Sequence, residues 1–242
     1  PDLEATLYTD TDVECEIFDQ INKVEYDITD TQDSILKPFM TPYDKNLYLD
    51  TDTYITGDVS ELFEILDNFD VAASHAPGRK RVQGTPECFR EYNTGVIAFR
   101  NSEEIKEIFK RWEELYEEIQ KTDLEVGIGH DQHPFAKAIF ESNLDFFTLP
   151  PEYNTRLPRC GYSSGEVKIL HGRPRTSMEK IEKTINSTEK SRVHYATQSF
   201  VGSGRKIKVF SKTYALEKGL KLLFREGPRK ALIKFRKYLR RE

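Results

Sequence analysis

The sequence predicts an α/β fold with a mostly parallel central sheet flanked by helices. Two observations carry that expectation. Short apolar runs alternate with amphipathic helical patterns, as strand and helix do in such folds. The runs are also compact and rich in Val, Ile, Leu, Phe and Ala, as buried strands are. The 242 residues suffice for a large core. No apolar run nears the ~18 residues of a membrane-spanning helix.

Taken in order, strands are expected at EATLYT (4–9), NLYL (46–49), DVAAS (70–74), TGVIAF (94–99) and VKIL (167–170). A helix is expected over 58–67, starting at Asp58 and carrying Leu62, Phe63, Ile65 and Leu66. A longer one is expected over 102–120. Ser102 is its N-cap and glutamates follow at once. Ile105, Ile108, Phe109, Trp112, Leu115 and Ile119 form its apolar stripe. A third helix is expected over 131–142. Stretches rich in Gly, Arg and Pro at 76–87 and 154–165 suggest surface loops.

Charge divides the chain. Residues 205–242 hold 14 Lys/Arg against 3 Glu, a net of +11, while residues 1–204 hold 22 against 38 acids, a net of −16. Residues 1–204 are expected to be the catalytic body and 205–242 a basic helical extension. Two helices, 212–226 and 229–241, are expected there on either side of Gly227-Pro228. Three roles are open to the extension. It can pack on the body, lie on an anionic membrane surface, or bind nucleic acid, and the acidic body disfavours the last. Cys15, Cys88 and Cys160 are too few and too scattered for a disulfide framework. With no signal-peptide pattern, a reducing, cytoplasmic setting is expected, with the tail as a peripheral contact at the inner membrane surface.

The most informative local feature is a near-repeat. Residues 7–12 read LYTDTD and residues 47–52 read LYLDTD. Alternate residues along a strand share a face, so each Asp-x-Asp pair can share one cation. Oxygen ligands suit Mg²⁺, Mn²⁺ or Ca²⁺, and strand ends are where open α/β sheets collect ligands. The second copy runs on through a turn at Gly57 into the helix pattern, so Asp50 and Asp52 are preferred. Asp10 and Asp12 are expected to be a solvated acidic turn.

The stretch YDKNLYLDTDTYITGDVSELF resembles the D-x-D segment of GT-A-fold glycosyltransferases, especially the family-8 type that includes glycogenin and bacterial galactosyltransferases. YNTGVIAF (92–99), HDQHPF (130–135), FFTLPPEYN (146–154) and ILHGRP (169–174) resemble further segments of that family in the same order, over roughly residues 4–175.

The resemblance implies a metal-dependent glycosyltransferase, of hexosyltransferase type, that moves a sugar with retention from a nucleotide-diphosphate donor, a UDP-sugar above others. The acceptor would be a glycan, a lipid-linked sugar or a protein. The resemblance implies Asp50, Asp52 and His171 as ligands of Mn²⁺ or Mg²⁺. It implies Asn93 and Gly95 beside the donor, and Asp131 and Gln132 against the sugar near the reacting carbon. Arg173 would contact the diphosphate, although HGRPR departs from the family's usual His-Gly-Lys-Pro pattern. The chain opens at Pro1, about where the family's second strand is expected, so the first βα unit is expected to be absent. Two other functions stay open: an inactive GT-A-like binding module, and a D-x-D phosphohydrolase. Against the second, Tyr54 stands where that family has Thr or Val.

Overall fold

The chain folds around a four-stranded sheet whose strands alternate strictly between two covered faces. The structure, a computed structural model, describes residues 3–24, 41–78, 80–122, 131–174, 176–195 and 199–201. A parallel pair, β1 (Thr6–Thr9) and β2 (Gln20–Lys23), comes first. Next come β3 (Lys45–Leu49), β4 (Thr53–Ile55), α1 (Glu61–Ile65), β5 (Val71–His75) and β6 (Tyr92–Arg100). The helices α2 (Glu103–Thr122) and α3 (Gln132–Glu141) precede β7 (Phe146–Leu149). The last third holds β8 (Thr155–Arg156), β9 (Gly161–Ser163), β10 (Ile169–His171), α4 (Met178–Ile185), β11 (Arg192–Tyr195) and β12 (Ser199–Val201).

The main sheet has the order β3-β6-β5-β7. On one face Val71, Ala73, Ile97 and Phe99 meet Phe109, Trp112, Leu115 and Phe135 of α2 and α3. On the other, Ala72, Val96 and Ala98 meet Val59, Leu62 and Leu66 around α1, together with Ile169 of β10. The two-residue period of a strand places neighbouring residues in different cores. This explains why these strands read as continuous apolar runs.

The fold is mixed α/β, as expected, but the main sheet is not mostly parallel. β6 runs antiparallel to both β3 and β5, and only β5 and β7 pair in parallel. The 76–91 segment returns the chain from β5 directly to its neighbour without a crossover helix. A direct return of this kind gives antiparallel pairing.

The three helices expected within residues 1–204 are present with small shifts, and those expected at 212–226 and 229–241 lie outside the described residues. α2 is capped as expected, with the Ile105 N–H donating to Ser102 Oγ at 3.3 Å. Replacing Ser102 with alanine removes that acceptor and is expected to cost about 1 kcal/mol, measured by denaturant unfolding. α1 starts later than expected, at Glu61. Asp58 instead accepts a hydrogen bond from the Ser60 N–H at 2.8 Å.

Of the two stretches expected as surface loops, 76–87 is largely exposed as expected and 154–165 is corrected. Val82 and Thr85 are buried in the first, as are Asn154, Thr155 and Ser163 in the second. The second also supplies β8 and β9, and its Asn154 and Thr155 are internal hydrogen-bonding groups, while Arg159, Tyr162 and Ser164 stay exposed. β8 and β9 each join a smaller sheet, of order β4-β10-β8 and β12-β11-β9.

The basic extension 205–242 lies outside the described residues, as do Arg79 and His130. Among the described residues no helix is long and apolar enough to cross a membrane. Cys15, Cys88 and Cys160 are free thiols.

Candidate metal centre

Two sheets meet at the second Asp-x-Asp copy. β3 ends at Leu49, opposite Val96 of β6, and the next N–H, that of Asp50, donates to the Gly95 carbonyl at 2.9 Å. The chain then turns. The Asp50 carbonyl accepts from the Thr53 N–H at 3.1 Å and from the Thr53 hydroxyl at 2.7 Å. β4 starts at Thr53 and pairs antiparallel with β10, where Thr53 stands opposite His171. The turn thus carries Asp50 and Asp52 from one sheet to the other and sets both beside the end of β10.

Asp52 is tied from below. Its carbonyl accepts from the Gly172 N–H at 2.8 Å. Gly172 has φ +133°, and a Cβ there would stand 2.7 Å from Pro158 Cδ. Only glycine fits this turn without strain, which explains the Gly of the His-Gly pair.

Asp50, Asp52 and His171 form a group able to hold a metal, with one ligand atom from each lying within 4.8 Å of the others. His171 Nε2 lies 3.0 Å from Asp52 Oδ1 and 3.5 Å from Asp50 Oδ2. His171 is 1% exposed, and its Nε2 makes no hydrogen bond. With its lone pair turned to the carboxylates, Nε2 joins two oxygens that also accept, a set that a cation between them would satisfy. Two hard oxygens and one imidazole suit a divalent first-row ion, and the imidazole favours Mn²⁺ over Mg²⁺. The residues therefore fit the metal that the resemblance implies.

Gly95 makes the group possible. A Cβ at this position would stand 2.0 Å from His171 Cε1 and 2.5 Å from Asp50 Oδ2. Its α-carbon forms the floor against which both ligands rest. Asn93 and Asn154 lie behind His171, 3% and 4% exposed. Asn93 Oδ1 accepts from the Gly95 N–H and from Asn154 Nδ2.

Tyr48 was not foreseen. Its hydroxyl donates to Asp50 Oδ1 at 3.1 Å. Burial first, then the charge of Asp50 and the hydrogen bond to it, push the phenol far above its ordinary value, so it remains a donor. Burial alone would raise the Asp50 carboxyl. The neighbouring His171 ring, the Tyr48 hydroxyl and Arg156 outweigh it and hold the carboxyl below its usual value. Tyr48 falls two residues before Asp50 on one strand face. That spacing was the available signal, and it was spent on counting an apolar strand.

Arg156 was also missed. It pairs with His171 in the register of β8 and β10 and is half-buried. Burial and the neighbouring Arg159 lower its pKa, while Asp52 and Asp50 pull it up. Its guanidinium makes no ion pair within 4 Å among the described residues. Arg173, the expected diphosphate contact, is exposed just past the His-Gly turn.

Asp131 occupies the N-cap position of α3 without a side-chain capping bond, and its carbonyl accepts from Trp112 Nε1 at 2.9 Å. Its charge reaches Tyr48 and raises that phenol further. Gln132 opens α3, half-buried, and joins none of the hydrogen bonds around the three ligands. His133 is a buried structural histidine. Its Nε2 accepts from the Gln83 N–H at 3.2 Å and its Nδ1 lies 3.6 Å from Glu91. His75 stacks on Tyr92.

The first Asp-x-Asp copy is the acidic turn that was expected. Asp12 pairs with Lys23 at 2.6 Å, and both side chains are exposed. Among the described residues neither Asp10 nor Asp12 belongs to a metal-competent group.

No protein-family model matches the chain, and no curated protein matches it. Among solved structures, it is similar to the glycosyltransferase GlyE of Streptococcus pneumoniae TIGR4, at 23% identity over 68% of this chain and 42% of that one, TM-score 0.42. It is similar to mouse xyloside xylosyltransferase 1 at 19% identity over 61% of this chain and 64% of that one, TM-score 0.42. It is also similar to the galactosyltransferase LgtC, solved with donor and acceptor sugar analogues, at 18% identity over 55% and 48%, TM-score 0.41. The chain thus spans less than two thirds of the length of each. These likenesses are remote in sequence and loose in superposition, and the functional reading stands on the residues themselves.

Proposed function

We propose that this chain is the body of a metal-dependent glycosyltransferase of GT-A, family-8-like type, taking a nucleotide-diphosphate sugar, with UDP as the nucleotide. One observation carries the reading: Asp50, Asp52 and His171 arrive from two sheets and bring two carboxylates and one imidazole nitrogen within 4.8 Å of one another. The ordered resemblance over residues 4–175 supplies the reaction. Mn²⁺ is the preferred ion, and when bound it stabilises the negative charge of the departing diphosphate.

Around the ion, each residue has a stated task. Tyr48 holds Asp50 in place for the ion. Arg156, half-buried and without an ion-pair partner within 4 Å among the described residues, offers its guanidinium to a phosphate oxygen, with Arg173 further out. Gly95 lets the ligands close up. Asp131 and Gln132, at the N-terminus of α3, face the sugar and steady the positive charge that develops at its reacting carbon. Transfer with retention, a hexose as the sugar, and a glycan, lipid-linked sugar or protein acceptor belong to this proposal. So do a cytoplasmic setting and a peripheral membrane contact by the 205–242 extension.

The test is calorimetric titration of UDP into the protein with Mn²⁺ and again with EDTA. Binding is expected with Mn²⁺ and is expected to vanish with EDTA. UDP binding of equal strength in both conditions would remove the metal from the reading. No UDP binding in either would sink the nucleotide-sugar assignment for this chain.

A further inference from the structure

A chain of amides leads from a backbone N–H to the one ligand nitrogen of the site. It starts at Gly95, whose N–H donates to Asn93 Oδ1 at 3.3 Å. A backbone N–H can only donate, so the atom it meets on Asn93 must be the carboxamide oxygen. That same oxygen receives Asn154 Nδ2 at 2.8 Å. Since an oxygen can only accept, Asn154 must turn its NH₂ toward Asn93. Its own oxygen then faces the other way and lies 2.9 Å from His171 Nδ1. That contact requires a proton on Nδ1. In a neutral imidazole the proton on one nitrogen leaves the other as a lone pair, and here the other is Nε2, the atom aimed at Asp50 and Asp52.

We propose that Asn93 and Asn154 are positioning residues that fix the tautomer of His171, holding its proton on Nδ1 so that Nε2 is presented as a metal-ligand lone pair. The proposal rests on the metal reading above and deepens it. Neither asparagine touches the ion.

Turning Asn154 over shows what the arrangement prevents. Its oxygen would then face the Asn93 oxygen, two acceptors in contact. Its NH₂ would face Nδ1 and force the ring proton onto Nε2, where it blocks the metal. Asn93, Asn154 and His171 are 3%, 4% and 1% exposed, so no solvent is at hand to repair a mismatch. The first donor is a main-chain group, so the polarity of the chain does not depend on any ionisable side chain. Partners behind a ligating histidine commonly set its orientation and basicity, and their loss costs about 10- to 100-fold in metal affinity.

The decisive experiment has two arms. In the metal-free wild-type protein, long-range proton–nitrogen NMR of the neutral His171 ring reads the tautomer directly. The expected result is a proton on Nδ1, and a proton on Nε2 overturns the proposal. In the second arm, Mn²⁺ affinity is measured calorimetrically for Asn93→Leu and Asn93→Asp. Asn93→Leu deletes the oxygen that orients Asn154, so affinity is expected to fall about 10- to 100-fold. Asn93→Asp keeps acceptor oxygens toward Gly95 and Asn154 and is expected to restore most of the affinity. Asn93→Leu binding Mn²⁺ as tightly as the wild type overturns the relay. Should Asn93→Leu fail to fold, the wild-type spectrum and Asn93→Asp still decide. A wild-type protein that binds no Mn²⁺ would refute the metal reading instead, and the tautomer found by NMR would then support or overturn the relay by itself.

Discussion

Gly95→Ala is expected to abolish Mn²⁺ binding, although the substitution adds one methyl group and touches no ligand by name. The added Cβ would stand 2.0 Å from His171 Cε1 and 2.5 Å from Asp50 Oδ2. Contacts that short cannot persist, so something must move. The imidazole is hemmed in, being 1% exposed and held by Asn154 from behind, so the 2.0 Å overlap is relieved only by forcing the ring off that contact or shifting the β6 backbone. Asp50 is the freer partner, because its side chain is 40% exposed. The expected consequence is that Asp50 swings outward, breaks its bond with Tyr48 and opens the ligand group. Mn²⁺ affinity should then fall by more than about a hundredfold, since a ligand rather than its support is lost. Overpacking of this kind also costs roughly 1–3 kcal/mol of stability. Calorimetry of Mn²⁺ binding and denaturant unfolding on the same preparation separate the two effects. Wild-type metal affinity in a folded Gly95→Ala protein would show that His171 and Asp50 do not act on one ion.

Asp52→Ala is expected to have a comparable effect on the metal with a smaller effect on the fold. Asp52 Oδ1 is the carboxylate oxygen nearest His171 Nε2, at 3.0 Å. The backbone contacts that hold the turn come from its carbonyl and from that of Asp50, and they survive the substitution. Mn²⁺ binding should be lost, and with it the Mn²⁺-dependent part of UDP binding. Asp12→Ala is the matched control, because it removes the corresponding aspartate of the first copy. It breaks only an exposed pair with Lys23, worth little in such a setting, and Mn²⁺ binding should be unchanged. If the two variants lost Mn²⁺ equally, the assignment of the ion to the second copy would be wrong.

Much of the fold was legible in the chain because the signals are local. Ser102 before two glutamates marks the start of α2, and that helix begins one residue later. Ile105, Phe109, Trp112 and Leu115 of the apolar stripe are buried as its spacing predicts, with Ile108 half-buried beside them. The strand TGVIAF is the centre of β6. Strand direction was not local. β5 and β6 are antiparallel because the 76–91 segment folds back beside its own strand, and nothing in its Gly, Arg and Pro content reports where it returns.

The candidate site divides in the same way. Asp50 and Asp52 were legible because a two-residue spacing places two carboxylates on one side of a strand end. His171 was reached only through the resemblance. Its partners Tyr48, Asn154 and Arg156 were not singled out, for each is an ordinary residue until pairing gives it neighbours. Asn154 and Arg156 lie in a stretch whose polar composition suggests solvent, yet Asn154 is 4% exposed.

By itself, then, the sequence determined the strands and helices of the main sheet and its covering layer, the preferred Asp-x-Asp copy and the excess of negative charge on residues 1–204. Those properties depend on residues near one another in the chain, where spacing and propensity act. The tertiary structure alone decided that β10 pairs with β4, that Gly95 leaves room for two ligands, and that a main-chain N–H orients Asn93, Asn154 and His171 in turn. These depend on distances of a few ångströms between groups as many as 118 positions apart (Thr53 to His171), and close packing sets such distances only once the chain has folded.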